Sequence, residues 1–141
     1  MAIEGRRFLT VAGLGFLAIV AATLFVADRN QRYAAGHSGA LLLAEAIERY
    51  REDNGFYPTQ SQGLRALVEA PDTEPVPGSL APGGYVDERI LIDPWGHPYH
   101  YRIPGARNPG SFDVFTQGRD GAPGGTGVDQ DLGNFPLESS R

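Results

Sequence analysis

Cysteine is absent from the 141 residues, which removes disulfides, a thiol nucleophile and a thiolate metal site together. Lysine is absent too, so all twelve basic residues are arginines, and seventeen acids leave a net charge of −5. From residue 28 onward ten arginines face sixteen acids, a net −6. Nucleic acid is not expected as a partner on that balance, because binding it rests on neutralising phosphates. Histidine is scarce: His37, His97 and His100 are all there is. No nucleophile elbow, phosphate-cradling glycine motif or H-E-x-x-H occurs, and the spacing of Asp87, Glu88, Asp93 and Asp113 does not ask for a paired acid and base. His97 falls in a turn, and His100 alternates with Tyr99 and Tyr101 on a strand-like run. The expectation is a chain that is not an enzyme.

Against these absences stands one long apolar run, FLTVAGLGFLAIVAATLFVA from Phe8 to Ala27, without a charge in it. Its length matches the roughly 20 residues a helix needs to cross the hydrocarbon of a bilayer. A signal peptide has a shorter apolar region of about 7 to 15 residues, and a core helix normally shows a polar face, whereas this run offers only Thr10 and Thr23. Residues 1–27 are therefore expected to be a short cytoplasmic arm and a single-pass membrane anchor, and 28–141 a domain outside the cytoplasm. Arg6 and Arg7 before the run and Arg29 and Arg32 after it barely set a direction; the short arm and the long polar remainder favour the N-in arrangement.

In SGALLLAEAIERYRED, residues 38–53, Leu43, Ala46, Ile47 and Tyr50 recur at helical spacing opposite Glu45, Glu48, Arg49 and Glu52. Asn54-Gly55 supplies a stop, and Ser38 offers a cap. Gly36 and Gly39 weaken the stretch before it, leaving open one long bent helix or two separate ones. A short helix is expected over 61–70, with Leu64, Leu67 and Val68 on one face, then an irregular connection over 72–84 rich in proline and glycine. Three strands are expected at 88–93, 98–103 and 112–117, joined by connections too short for a crossover helix, hence antiparallel. The fold class is α+β: a helical spine packed on one face of a small three-stranded sheet.

The last strand runs into GRDGAPGGTGVDQDLGN, where Asp120, Asp129 and Asp131 are scattered among glycines and almost nothing can pack. Such a loop is either solvated or ordered by something other than a core. Carboxylates are hard donors, and glycines let the backbone turn carbonyls inward, which is how calcium collects about 6 to 8 oxygens. The EF-hand spacing is missing. Magnesium demands tighter geometry, so calcium is the better candidate; a metal-ordered loop and a solvated one both remain open.

Taken together, YREDNGFYPTQSQGLRALVEAP, IDPWGHPYHYRIPG and FDVFTQGRDGAPGGTGVDQDLGNF resemble the major pseudopilin family of type II secretion systems, the G component, over roughly residues 40–135. The resemblance implies a type IV pilin-like fold with a spine helix and a three-stranded antiparallel sheet. It also implies a structural Ca2+ in the C-terminal loop, with Asp120, Asp129 and Asp131 as side-chain ligands and the carbonyls of Gln117 and Ala122 as further ones. The implied function is structural: copies assemble through their spines, with other pseudopilins and an inner-membrane assembly platform, into a periplasmic filament that helps export folded proteins.

The N-terminal part departs from the pattern. Family precursors carry a glycine-hydrophobe cleavage point with a glutamate as the fifth mature residue; here Gly15-Phe16 is followed at that place by Val20, and no acid lies between Phe8 and Ala27. The alternative this leaves open is an uncleaved, membrane-anchored pilin-fold binding module that does not polymerise.

Overall fold

The computed structural model describes residues 4–80 and 82–137, with side chains from residue 15 onward. It divides into two units, Met1–Arg32 and Tyr33–Arg141. One helix, α1, spans Glu4–Asn54.

In the first unit Phe16, Leu17, Ile19, Leu24 and Phe25 are all exposed. Thr23 turns its hydroxyl back onto the Ile19 carbonyl at 2.9 Å, which satisfies that polar group within the helix itself. Asp28 and Arg32 pair one turn apart at 3.1 Å. Phe8–Leu14, the first part of the expected anchor, lies outside the described side chains. Among the described residues no helix is long and apolar enough to cross a membrane.

The second unit is built on the later part of α1. The apolar stripe predicted there is the core: Leu43, Ala46, Ile47 and Tyr50 are all fully buried. Each large side chain of that kind contributes about 1.5–3 kcal/mol by leaving water. The stop is as expected, since Gly55 takes φ +83 and its amide donates to the Arg51 carbonyl at 2.7 Å. The two glycines, however, neither end nor divide the helix, and Ser38 caps nothing. Gly36 and Gly39 sit one turn apart on the face where Trp95 and Tyr99 dock, and the Tyr99 hydroxyl donates to the Gly36 carbonyl at 2.9 Å. Their lack of a side chain serves close approach rather than a break.

The sheet has three antiparallel strands in sequence order: β1 His100–Arg102, β2 Asp113–Thr116 and β3 Leu132–Gly133. Tyr101 pairs with Val114 and Thr116 with Leu132, and this face is buried, with Tyr101 and Val114 in one cluster with Leu43 and Ile47. On the other face His100 stacks on its cross-strand partner Phe115, centroids 5.1 Å apart, so the histidine is a sheet residue. Gln60 borders the outer edge of β1, donating to the Tyr101 carbonyl at 2.8 Å and accepting from the Ile103 amide at 2.9 Å. It takes the place of a further strand and blunts the edge.

The strand count is as expected, but one strand is not where it was predicted. Residues 88–93 form a 3-10 turn, Glu88–Leu91, with only Ile92 bridging to Pro98. The cause is local. Asp87 accepts from the Arg89 amide and is gripped by the Arg89 guanidinium, turn chemistry that competes with a ladder; these bonds hold the Asp87 carboxyl down at about 2. The third strand comes instead from Leu132–Gly133, beyond the glycine-aspartate loop. The helix expected over 61–70 contracts to a 3-10 turn, Gly63–Leu67, with Leu64, Ala66 and Leu67 buried.

Burial, and then the negative charge of Asp93, push the Tyr99 hydroxyl up to about 12. The folded state therefore keeps a proton that the unfolded chain releases near its ordinary value of about 10. The contribution of Tyr99 to stability is expected to be fully present below pH 10 and to be lost as pH rises through 12. Urea midpoints across this window check it, with Tyr99→Phe expected to flatten the decline; an unchanged wild-type midpoint from pH 10 to 12 would contradict it.

Candidate metal centre

The loop between β2 and β3 is rooted in the buried end of β2. Thr116 is fully buried; its hydroxyl donates to Asp93 Oδ2 and accepts from the Gly118 amide at 3.1 Å. The other oxygen of Asp93 accepts from the Trp95 and His97 amides, both at 2.9 Å. Asp93, which the sequence reads as opening the turn Asp93-Pro94-Trp95-Gly96, thus ties the 93–97 turn to the start of the loop. His97 in turn lies against Gly121, where an added Cβ would come 3.1 Å from its Cε1.

Within the loop, backbone bonds close a ring. The Arg119 amide donates to the Val128 carbonyl at 2.9 Å, and the Asp131 amide to the Gly124 carbonyl at 3.0 Å. Gly125, at φ +74, approaches the Asp129 main chain so closely that no Cβ could stand there. The short 3-10 turn Gly127–Asp129 buries Val128, which anchors a segment otherwise made of exposed and half-buried residues.

The five predicted ligands fall as follows. Asp120 is exposed, and its Oδ1 accepts from the Ala122 amide at 3.1 Å. Asp131 is half-buried, and its Oδ1 accepts from the Gly124 amide at 3.1 Å. Asp129 has both oxygens in the fork of Arg119, Nε to Oδ1 and Nη2 to Oδ2, each at 2.9 Å. Gln117 and Asp131 line one cavity on the outer side of the sheet with Arg102, Asp113, Phe115 and Pro123; Ala122 is exposed on the loop surface. Among the described residues no three acids or histidines come together closely enough to hold a metal ion.

As a donor set the loop offers only oxygen, from carboxylates, carbonyls and Gln117, which is the chemistry of calcium rather than zinc. Asp120 and Asp131 each keep one oxygen unused by a hydrogen bond within the loop. In donor chemistry the residues fit a hard cation, with Asp129 engaged elsewhere. Arg119 is the functional neighbour that sequence reasoning missed. Its signal was the pairing of one cation with one anion across a glycine-rich closure, but nothing in spacing alone fixes which carboxylate it meets.

Comparison with known proteins bears on the greater part of the chain. The family described as Type II secretion system (T2SS), protein G matches residues 28–135. The type II secretion system core protein G of Vibrio cholerae is 46% identical over 96 residues, 68% of this chain and 63% of that protein. That of Pseudomonas aeruginosa is 42% identical over 93 residues, 66% of this chain and 63% of that protein. The chain thus spans about 63% of the length of these curated relatives. Among solved structures, the major pseudopilin from the type 2 secretion system of enterohaemorrhagic Escherichia coli superimposes with a TM-score of 0.60 at 36% identity, covering 81% of this chain and 91% of that one. The spine packed on a small antiparallel sheet, the shared fold and the match over the greater part of the sequence place it: this chain belongs to the protein G family of the type II secretion system.

Proposed function

We propose that this protein is a structural, non-enzymatic subunit of a type II secretion pseudopilus, held in the inner membrane by the N-terminal part of α1 with residues 28–141 in the periplasm. It would pack through α1 against further copies and other pseudopilins, on an inner-membrane assembly platform, in a filament that helps export folded proteins. The observation that carries this reading is the joint likeness in sequence and fold to a major pseudopilin. The exposed apolar side chains Phe16, Leu17, Ile19, Leu24 and Phe25 suit a helix that moves from lipid into a bundle of its neighbours. Because the chain has no cysteine, Leu17→Cys and Leu24→Cys introduced together report only on spine contacts. A ladder of crosslinked species in membranes is expected. Monomer alone would indicate the anchored, non-polymerising module instead.

The loop is proposed to take a structural Ca2+, held by Asp120, Asp129 and Asp131 with carbonyls of Gln117 and Ala122. Bound there, the ion would supply positive charge that draws the carboxylates together and ties the loop to the sheet. The other work is the chain's own: Thr116 and Asp93 fix where the loop starts, and Val128 fixes its middle. A ligand that binds only the folded state stabilises by about 2.7 kcal/mol at a hundredfold excess over its Kd. Thermal unfolding of the full chain in detergent is expected to rise with calcium, not with magnesium, and the rise is expected to vanish in Asp120→Ala. Equal melting with calcium and with chelator would remove the metal from the account.

A further inference from the structure

Asp129 is the most constrained of the three loop carboxylates. Its backbone is pinched between Gly118 and Gly125, where an added Cβ at Gly118 would come 2.8 Å from Asp129 C. Its carboxylate meets Arg119 in two parallel bonds of 2.9 Å. The Arg119 amide also donates to Val128, the residue before Asp129, so main chain and side chain of one residue grip the same segment. A bidentate fork of this kind occupies both carboxylate oxygens and fixes the plane of the group.

From this geometry we infer that Arg119 is an internal counter-ion that competes with a divalent cation for Asp129, closing the loop when the cation is scarce and setting the concentration at which it binds. The inference rests on the calcium reading above. A cation that takes Asp129 as a full ligand has to displace the guanidinium. The pair is partly open to solvent, with side-chain exposures of 53% for Arg119 and 27% for Asp129, so displacement costs little and the arginine swings into water. Binding is then an exchange of one positive partner for another, not the ordering of a loose segment. Affinity falls accordingly, and the loop keeps its closure at low calcium.

The test is calcium titration by calorimetry on the full chain in detergent, comparing wild type with Arg119→Gln, Arg119→Lys and Arg102→Gln. Arg102→Gln is the control for through-space charge, since Arg102 lines the same cavity as Asp131. Arg119→Gln is expected to bind calcium about three- to tenfold more tightly, the worth of displacing one half-exposed bidentate pair. Arg119→Lys keeps the charge but loses the fork and is expected to fall between. With chelator present, the Arg119→Gln loop is expected to be cut faster by protease than the wild-type loop. Equal gains in Arg119→Gln and Arg102→Gln would overturn the competition while leaving calcium binding intact. Weaker binding in Arg119→Gln would overturn it too, making Arg119 a residue that positions Asp129 for the ion. No binding by any of the four proteins would instead overturn the calcium reading itself, and this inference with it.

Discussion

Gly39→Leu is expected to destabilise the domain by about 3 kcal/mol or more, a large share of the roughly 5–15 kcal/mol that holds a domain folded. A Cβ at Gly39 would fall inside contact with Tyr99 Oη and 2.9 Å from Cζ, and leucine adds three further carbons. Tyr99 is buried, and its hydroxyl is committed to the Gly36 carbonyl, so the ring cannot step aside without leaving a buried hydroxyl unpaired. Overpacking costs about 1–3 kcal/mol, and an orphaned buried donor about 1–3 more. Better helix propensity returns only about 0.8–1.0. Urea unfolding is the check. A double-mutant cycle with Tyr99→Phe, which removes the atom nearest the clash, should recover part of the loss. A loss under about 1 kcal/mol would mean that α1 and Tyr99, just before β1, are less closely fitted than their glycine contact implies.

The same glycines show where sequence reading stopped. Their helix cost is a local property, visible in isolation, and it argued for a weak point near residue 36. What overrides it is a contact across some sixty positions of sequence, with Trp95 and Tyr99, which no local pattern contains. The stripe Leu43, Ala46, Ile47 and Tyr50 was legible because its period alone names the buried face. The strand at 88–93 was misread because ERILID holds a short β-favouring apolar run, Ile90–Ile92, bounded by turn residues, while Asp87 and Arg89 hold a turn. Leu132–Gly133 was missed because two residues carry no periodicity, and they pair only after the loop has folded back. At the candidate site the residue types and their chain order were legible. The partition among them was not: that Asp129 faces Arg119 while Asp120 and Asp131 cap nearby amides depends on where the glycines turn the chain.

Asp113→Ala is expected to cost about 2–4 kcal/mol, because this carboxylate does the work of a turn. It is 2% exposed, and it accepts from the Ala106 amide at 2.7 Å and the Arg107 amide at 2.8 Å on one oxygen. The other oxygen accepts from the Asn108 amide at 3.0 Å and the Asn108 side chain at 2.9 Å. Three successive backbone donors of the β1–β2 connection thus converge on one anion, a nest in which each bond is charge-assisted. Removing the carboxylate orphans them together. Ala106 and Arg107 are exposed, so water recovers part of the loss and the cost stays below that of a sealed site. Asp113→Asn is the sharper test, since it keeps the volume but turns an amide toward donors that need an acceptor. A urea midpoint lowered at unchanged m-value is expected for both, with faster hydrogen exchange at residues 106–108. Asp113→Asn within about 0.5 kcal/mol of wild type would show that the turn holds itself. Asp113 also lines the cavity that Asp131 faces, yet its four acceptor positions are already taken. On the proposed calcium site, the stabilisation by the ion should therefore be the same in Asp113→Asn as in wild type, starting from a lower baseline, whereas in Asp120→Ala the baseline should hold and the calcium increment disappear.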